Sequence, residues 1–108
     1  MATYTNTSYA SKNVSTGGTT LIPSVASGTL AVSSLVVSNT STSPITCDVY
    51  IARSAVNYYI VKGATVPVGG SLEVIQGNRV VMIASDAMTV VSSAATSADA
   101  WASCLTAV

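Results

Sequence analysis

The sequence predicts an all-β fold, an antiparallel two-sheet sandwich of jelly-roll or immunoglobulin-like type with about eight short strands. Three observations carry this expectation. Runs rich in Val, Ile, Thr and Tyr recur along the chain, and branched or flat side chains suit a pleated, half-buried surface. Gly, Pro, Asn and Ser punctuate those runs at regular spacing. No apolar stripe of period 3.6 is long enough for a helix. The 108 residues, 49% of them apolar, fit one domain with a core of its own.

Residues 1–20 are Ser/Thr/Asn-rich with little periodicity, and Tyr4 and Tyr9 are their only large side chains. They read as an N-terminal arm with at most one short edge strand, ahead of a sandwich over residues 21–108. Gly17-Gly18 marks a turn, and Leu21-Ile22 is a short strand stopped by Pro23. Residues 29–39, TLAVSSLVVSN, carry apolar residues on both faces, as a central or doubly covered strand does. Alternation assigns Leu30, Val32 and Val36 to one face, and Ala31, Leu35 and Val37 to the other. After a turn at residues 39–44, Ile45, Cys47, Val49 and Ile51 alternate cleanly with Thr46, Asp48, Tyr50 and Ala52. Arg53-Ser54-Ala55 reads as the hairpin connection to VNYYIVK, in which Tyr58 and Tyr59 face opposite sides, one toward the core. Pro67 confines the piece around residues 63–71 to an edge or loop. Residues 72–75 form a strand that Gln76-Gly77-Asn78 turns into RVVMIA, and Ser85-Asp86 turns into AMTVVSSA. Residues 98–107 form the last strand. The Ala-rich stretch 94–102 would allow a helix on propensity alone, but Ser and Thr interrupt it, and Trp101, Ser103 and Leu105 alternate with small residues, so strand is expected. Trp101 is expected to pack in the core of a chain that has no Phe.

Charge is scarce. Asp, Glu, Lys and Arg make up 7% of residues, four of each sign, against about one quarter in an ordinary domain. Such a chain has weak colloidal repulsion and tends to associate, which suits a part docked in a large assembly. With no His there is no Ser-His-Asp triad, no Cys-His pair and no His-ligated metal. Asp48, Glu73, Asp86 and Asp99 are scattered, and turn or surface roles are expected of them. Neither glycine pair sits in a phosphate-binding frame, so no cofactor is expected. Lys12, Arg53, Lys62 and Arg79 are isolated, which argues against nucleic acid. No apolar run is long enough to cross a bilayer, and the first ten residues do not look like a secretion signal. The three N-x-Ser sequons are therefore read as chance. Cys47 and Cys104 each lie in an expected strand, either as buried thiols or as a sheet-to-sheet disulfide. The immunoglobulin pattern wants a Trp between its cysteines on a strand soon after the first, and Trp101 lies just before the second.

The stretch SLVVSNTSTSPITCDVYIARSAVNYYIVKGATVPVGGSLE, residues 34–73, resembles small virion structural proteins of tailed phages, especially those of cyanobacteria and marine bacteria. The shared elements are a strand ending in VVSNT, a polar turn, an alternating strand, a hairpin into a YYIVK-like run and a P-x-G-G-S-L-E turn. The closing MTVVSSAATSADAWASCL is also similar, so the resemblance spans roughly residues 15–108. It implies a β-sandwich displayed on or built into a particle after synthesis in the host cytoplasm. The expected role is a capsid decoration (cement) protein bound to the major capsid protein. The alternative is a neck, tail or fibre component, with a possible glycan ligand. A homo-oligomer is compatible with either, and neither involves nucleic acid or membrane. Expected contact residues are Tyr4, Tyr9 and Lys12 in the arm and Asn39, Val66 and Pro67 around the turns.

Overall fold

The computed structural model describes residues 4–107, with residues 77 and 78 described only in their backbone. Its eight strands are β1 (Tyr4–Ser11), β2 (Thr19–Ile22), β3 (Thr29–Asn39), β4 (Ile45–Arg53), β5 (Val56–Val66), β6 (Ser71–Ile83), β7 (Ala87–Ser92) and β8 (Ala98–Ala107). They form two four-stranded antiparallel sheets, ordered β1-β8-β3-β6 and β2-β7-β4-β5. The pairs β4–β5, β3–β6, β2–β7 and β1–β8 are successive steps of one long antiparallel ribbon. Rolling that ribbon up brings β8 beside β3 and β7 beside β4. This is the jelly-roll topology, and it decides between the two sandwich types the sequence leaves open.

The strands at residues 29–39 and 98–107 fall on their expected bounds, and the Ala-rich stretch 94–102 is not helical: residues 94–97 lie in the turn that precedes β8 and 98–102 belong to the strand. Residues 4–20 do not form an arm. Tyr4–Ser11 pairs with β8 over eight consecutive residues, and Thr19 already belongs to β2. Hydroxyl side chains on an edge strand leave no strong apolar alternation, so composition alone conceals it. Residues 1–3 of the expected arm lie outside the described residues. Gln76-Gly77-Asn78 is not a turn either: β6 runs through it, and the irregularity is absorbed as a register shift between Val32 and Ser34 of β3. That shift also corrects the expected faces of β3. Leu30 and Val32 point inward before it, and Leu35 and Val37 after it, leaving Val36 outside.

The core lies between the sheets. Val32, Leu35 and Val37 from the first sheet meet Ile22, Val49, Met88 and Val90 from the second, with Val14 plugging one end. The inner face of β8 is small: Ala98, Ala100, Ala102 and Cys104 are all buried. Cys47 and Cys104 are free thiols inside this layer. Burial raises both above the ordinary thiol range, Cys104 to about 11, and Asp48 adds to the shift at Cys47.

Polar groups close the two ends of the sandwich. At one end Asn39 donates through Nδ2 to the carbonyls of Ser43 (2.8 Å) and Val66 (3.1 Å). Its Oδ1 accepts from the Ser41 N–H and hydroxyl. At the other end Asp86 has a side chain only 1% exposed, yet fully partnered. Arg53 donates from Nε (2.9 Å) and Nη2 (2.6 Å) in a two-pronged pair, and the Ile83 N–H donates at 2.9 Å. The Arg53 bonds, reinforced by Ile83, hold the Asp86 carboxyl below the usual carboxylate range. Asp99 is lowered too, first by the Asn13 N–H and then by Lys12.

The β4–β5 hairpin closes at Arg53 and Val56 around Ser54 and Ala55, whose φ angles of 53° and 63° are left-handed. A two-residue turn with both central φ positive favours Asn-Gly. The double substitution Ser54→Asn/Ala55→Gly is expected to stabilise the fold by about 1 kcal/mol, raising Tm by roughly 4–8 °C. No change or a lower Tm in circular dichroism melts would contradict the turn assignment. The shifted carboxyls and thiols set the pH dependence of stability. A lowered carboxyl stabilises above its unfolded pKa, and that contribution is lost as pH falls through the folded value. A raised thiol stabilises below its unfolded pKa, and that contribution is lost as pH rises through the folded value. With no His, Tm should be flat from about pH 5 to 8, falling below about pH 4 and above about pH 9. Asp86→Asn should cost about 2 kcal/mol at neutral pH and shrink the acid limb. An acid limb unchanged in that variant would show that Asp86 does not drive it.

Candidate functional site: the outer face of the first sheet

Residues opposed across an antiparallel sheet share a face, so the register lays out the outer surface of the first sheet in rows. The first row is Ile83, Thr29, Ala107 and Tyr4, and the second is Val81, Ala31, Leu105 and Asn6. Gln76, Ser34, Ser103 and Ser8 follow, then Glu73, Val36, Trp101 and Ala10. Glu73 is the single charge among these sixteen positions. Tyr4 (67% exposed), Trp101 (54%), Val81 and Ile83 stand out into solvent. With strands about 4.8 Å apart and residues about 3.3 Å apart, the four rows cover on the order of 500 Å². Within it the large apolar side chains form two clusters, Ile83, Val81, Leu105 and Tyr4 in the first two rows and Val36 and Trp101 in the fourth, with the polar third row between them; exposed apolar clusters of this kind are often functional.

The face has relief. The Ser-rich third row is a trough across the strands, with a hollow of about 350 Å³ lined by Asn6, Thr7, Ser8, Ser33, Ser103 and Cys104. The Ser33 hydroxyl donates to the Ser103 carbonyl at 3.0 Å and fixes the floor. Beside Trp101 lies a groove of about 210 Å³ lined by Ala10, Ser11, Lys12, Val36, Ser38, Asp99 and Ala100. Lys12 and Asp99 pair at 3.3 Å along its rim.

Trp101 is therefore not a core residue. The alternation on β8 puts the Ala/Cys set inside and leaves Trp101 and Leu105 outside. That alternation, with the two apolar ends of the β6 and β3 strands, is the signal that would have revealed the face. Among the expected contact residues, Tyr4 lies on this face and Lys12 on its rim. Tyr9 points inward and packs against the core. Asn39 and Val66 are brought together, but inside the chain: they are 4% and 0% exposed and joined by the Asn39 hydrogen bond. As contact residues they are corrected to parts of an internal clamp. Pro67, next to them, is exposed.

The outer face of the second sheet differs in kind. Tyr50 and Tyr59 pack in a tilted pair with ring centroids 5.2 Å apart and planes at 52°, and Lys62 sits 4.4 Å above the Tyr59 ring and 3.9 Å from Asp48. Both Tyr58 and Tyr59 are exposed, so neither takes the core position expected of one of them. Among the described residues no three metal-ligating side chains converge. No family model matches the chain, and no curated protein matches it either.

Trp101→Ala is expected to change stability by about 1 kcal/mol or less, because the indole is half exposed. Leu35→Ala, from the inner face of the same sheet, should cost about 2–5 kcal/mol. Chemical denaturation of the two variants checks the assignment, and a Trp101 variant as unstable as the Leu35 variant would refute it.

Proposed function

We propose that this chain is a virion structural protein of a tailed phage, a capsid decoration protein that binds the coat lattice and reinforces it. The observation that carries the reading is the outer face of the first sheet, whose sixteen paired positions hold the single charge Glu73, on a scaffold whose buried side-chain polar atoms are all satisfied among the described residues. Such a face is a liability on a free protein and an asset on a docked one. Its mechanism is mechanical. The jelly roll holds Trp101, Leu105, Val81 and Tyr4 in fixed positions, so docking costs little ordering entropy. A contact of on the order of 500 Å² is modest for one site and gains strength when copies repeat over a lattice. The major capsid protein is the partner, and the virion is where the protein resides after synthesis in the host cytoplasm. The reading assigns the chain no catalysis and no cofactor.

The groove beside Trp101 favours a second reading, a neck, tail or fibre component. An exposed indole flanked by the Ser38 and Ser11 positions, Lys12 and Asp99 offers a sugar both a stacking plane and polar partners. Cryo-electron microscopy of intact particles separates the two. The decoration reading expects density for this jelly roll repeated over the icosahedral lattice, first sheet toward the coat, with Trp101→Ala particles depleted of it. Density confined to the portal vertex or tail would replace it with the second reading.

A further inference from the structure

We propose that β1 is a self-pairing edge: two copies of this chain join their first sheets through antiparallel β1–β1 hydrogen bonding into one continuous eight-stranded sheet. Four strands form the sheet edges, β1 and β6 in one sheet and β2 and β5 in the other. Exposed edges invite pairing with another chain unless something blunts them, such as short length, charge, Pro or a bulge. β2 has four residues and a register shift. β5 carries Lys62 and two shifts against β4. β6 carries Glu73 and Arg79 and two shifts against β3. Only β1 has none of these devices. It is eight residues long, without charge or Pro, and pairs with β8 in unbroken register.

The occupant follows from charge and parity. A strand of Tyr, Thr, Asn, Ser and Ala meets no like-charge repulsion from its own copy, and nothing on it selects a charged partner. A twofold axis through Thr7 sets Asn6 opposite Ser8 of the second copy, and Thr5 opposite Tyr9. In this register outward residues face outward residues, so the outer faces of both first sheets lie on one side. The half-buried Thr7 and Tyr9 gain cover, and Thr–Thr and Thr–Tyr cross-strand pairs are favourable. The contact is a narrow one, below the size of a standard stable interface, so the dimer is reversible. This inference does not rest on the particle-binding reading and needs no coat protein to test.

Sedimentation velocity over about a hundredfold range of concentration reads it out. The full chain should shift reversibly from monomer to dimer, with the β1 edge amides gaining hydrogen-exchange protection in the dimer. N6K/S8K places lysines opposite lysines in the solvent-facing rows and should stay monomeric with an unchanged Tm. Mixing it with N6E/S8E should restore dimers made of one copy of each. A wild-type chain that stays monomeric throughout overturns the proposal. So does a dimer that survives N6K/S8K, because another edge or face would then hold it.

Discussion

The layer packed between the two sheets sets the rest of this molecule. Each strand has two faces, and once the inner one is chosen the outer one is no longer free. On β8 the inner set is Ala98, Ala100, Ala102 and Cys104, small enough to sit in the middle of a sheet opposed by Ile22, Met88 and Val90. With that set inside, Trp101 and Leu105 have nowhere to go but out. The largest aromatic side chain in the protein is exposed because the core needs its neighbours. A reversal of β8 by one residue would force an indole into a space filled by alanine and expose three buried Ala side chains.

Charge is used with the same economy. Arg53 holds Asp86, Lys12 holds Asp99, and Lys62 lies beside Asp48. Only the Arg53–Asp86 pair reaches into the protein, where a nearly enclosed carboxylate fastens the β6–β7 turn to the end of β4. The other two are exposed pairs of small energetic value. They matter more for position: Asp48–Lys62 lies on the second sheet, and Lys12–Asp99 at one rim of the first. What is left between them is a broad sheet surface built from Ser, Thr, Ala and a few large apolar residues.

Much of the fold was legible because strands announce themselves by period and turns by residue type. Ile45, Cys47 and Val49 alternate in the open, the strand at residues 29–39 has turn residues at both ends, and the strand at residues 98–107 follows the turn residues Thr96 and Ser97. Reading failed where that code is silent. β1 is written in hydroxyls, which serve a strand edge and a solvated tail equally well. The shift between Val32 and Ser34 reverses the parity of β3 in mid-strand, which no count of alternating residues anticipates. Gln76-Gly77-Asn78 carries the residues of a turn, yet pairing with β3 on both sides keeps the strand going. Asn39 looked like a surface turn residue because its partners, the Ser43 and Val66 carbonyls, are brought together only by the tertiary fold.

The candidate site was harder to see than the fold for a related reason. A catalytic site leaves rare residues at fixed spacing, whereas a docking face leaves common ones spread over separate strands. Val81, Leu105 and Tyr4 are 24 or more positions apart in sequence and become two adjacent rows only when β6, β3, β8 and β1 lie side by side. What the sequence did carry was the global signal, a chain with too little charge to favour solitude. The topology converts that signal into a location. Three of the four sheet edges are short, charged or irregular, and the second sheet's outer face carries Lys62 over its tyrosines. The two sparsely charged surfaces that remain, the outer face of the first sheet, with Glu73 in its fourth row, and the uncharged β1 edge, are contiguous. Association through one therefore extends the other, because a second copy added at β1 in that register joins its four rows to the first copy's in reverse order, first to fourth and second to third, on one side of the sheet.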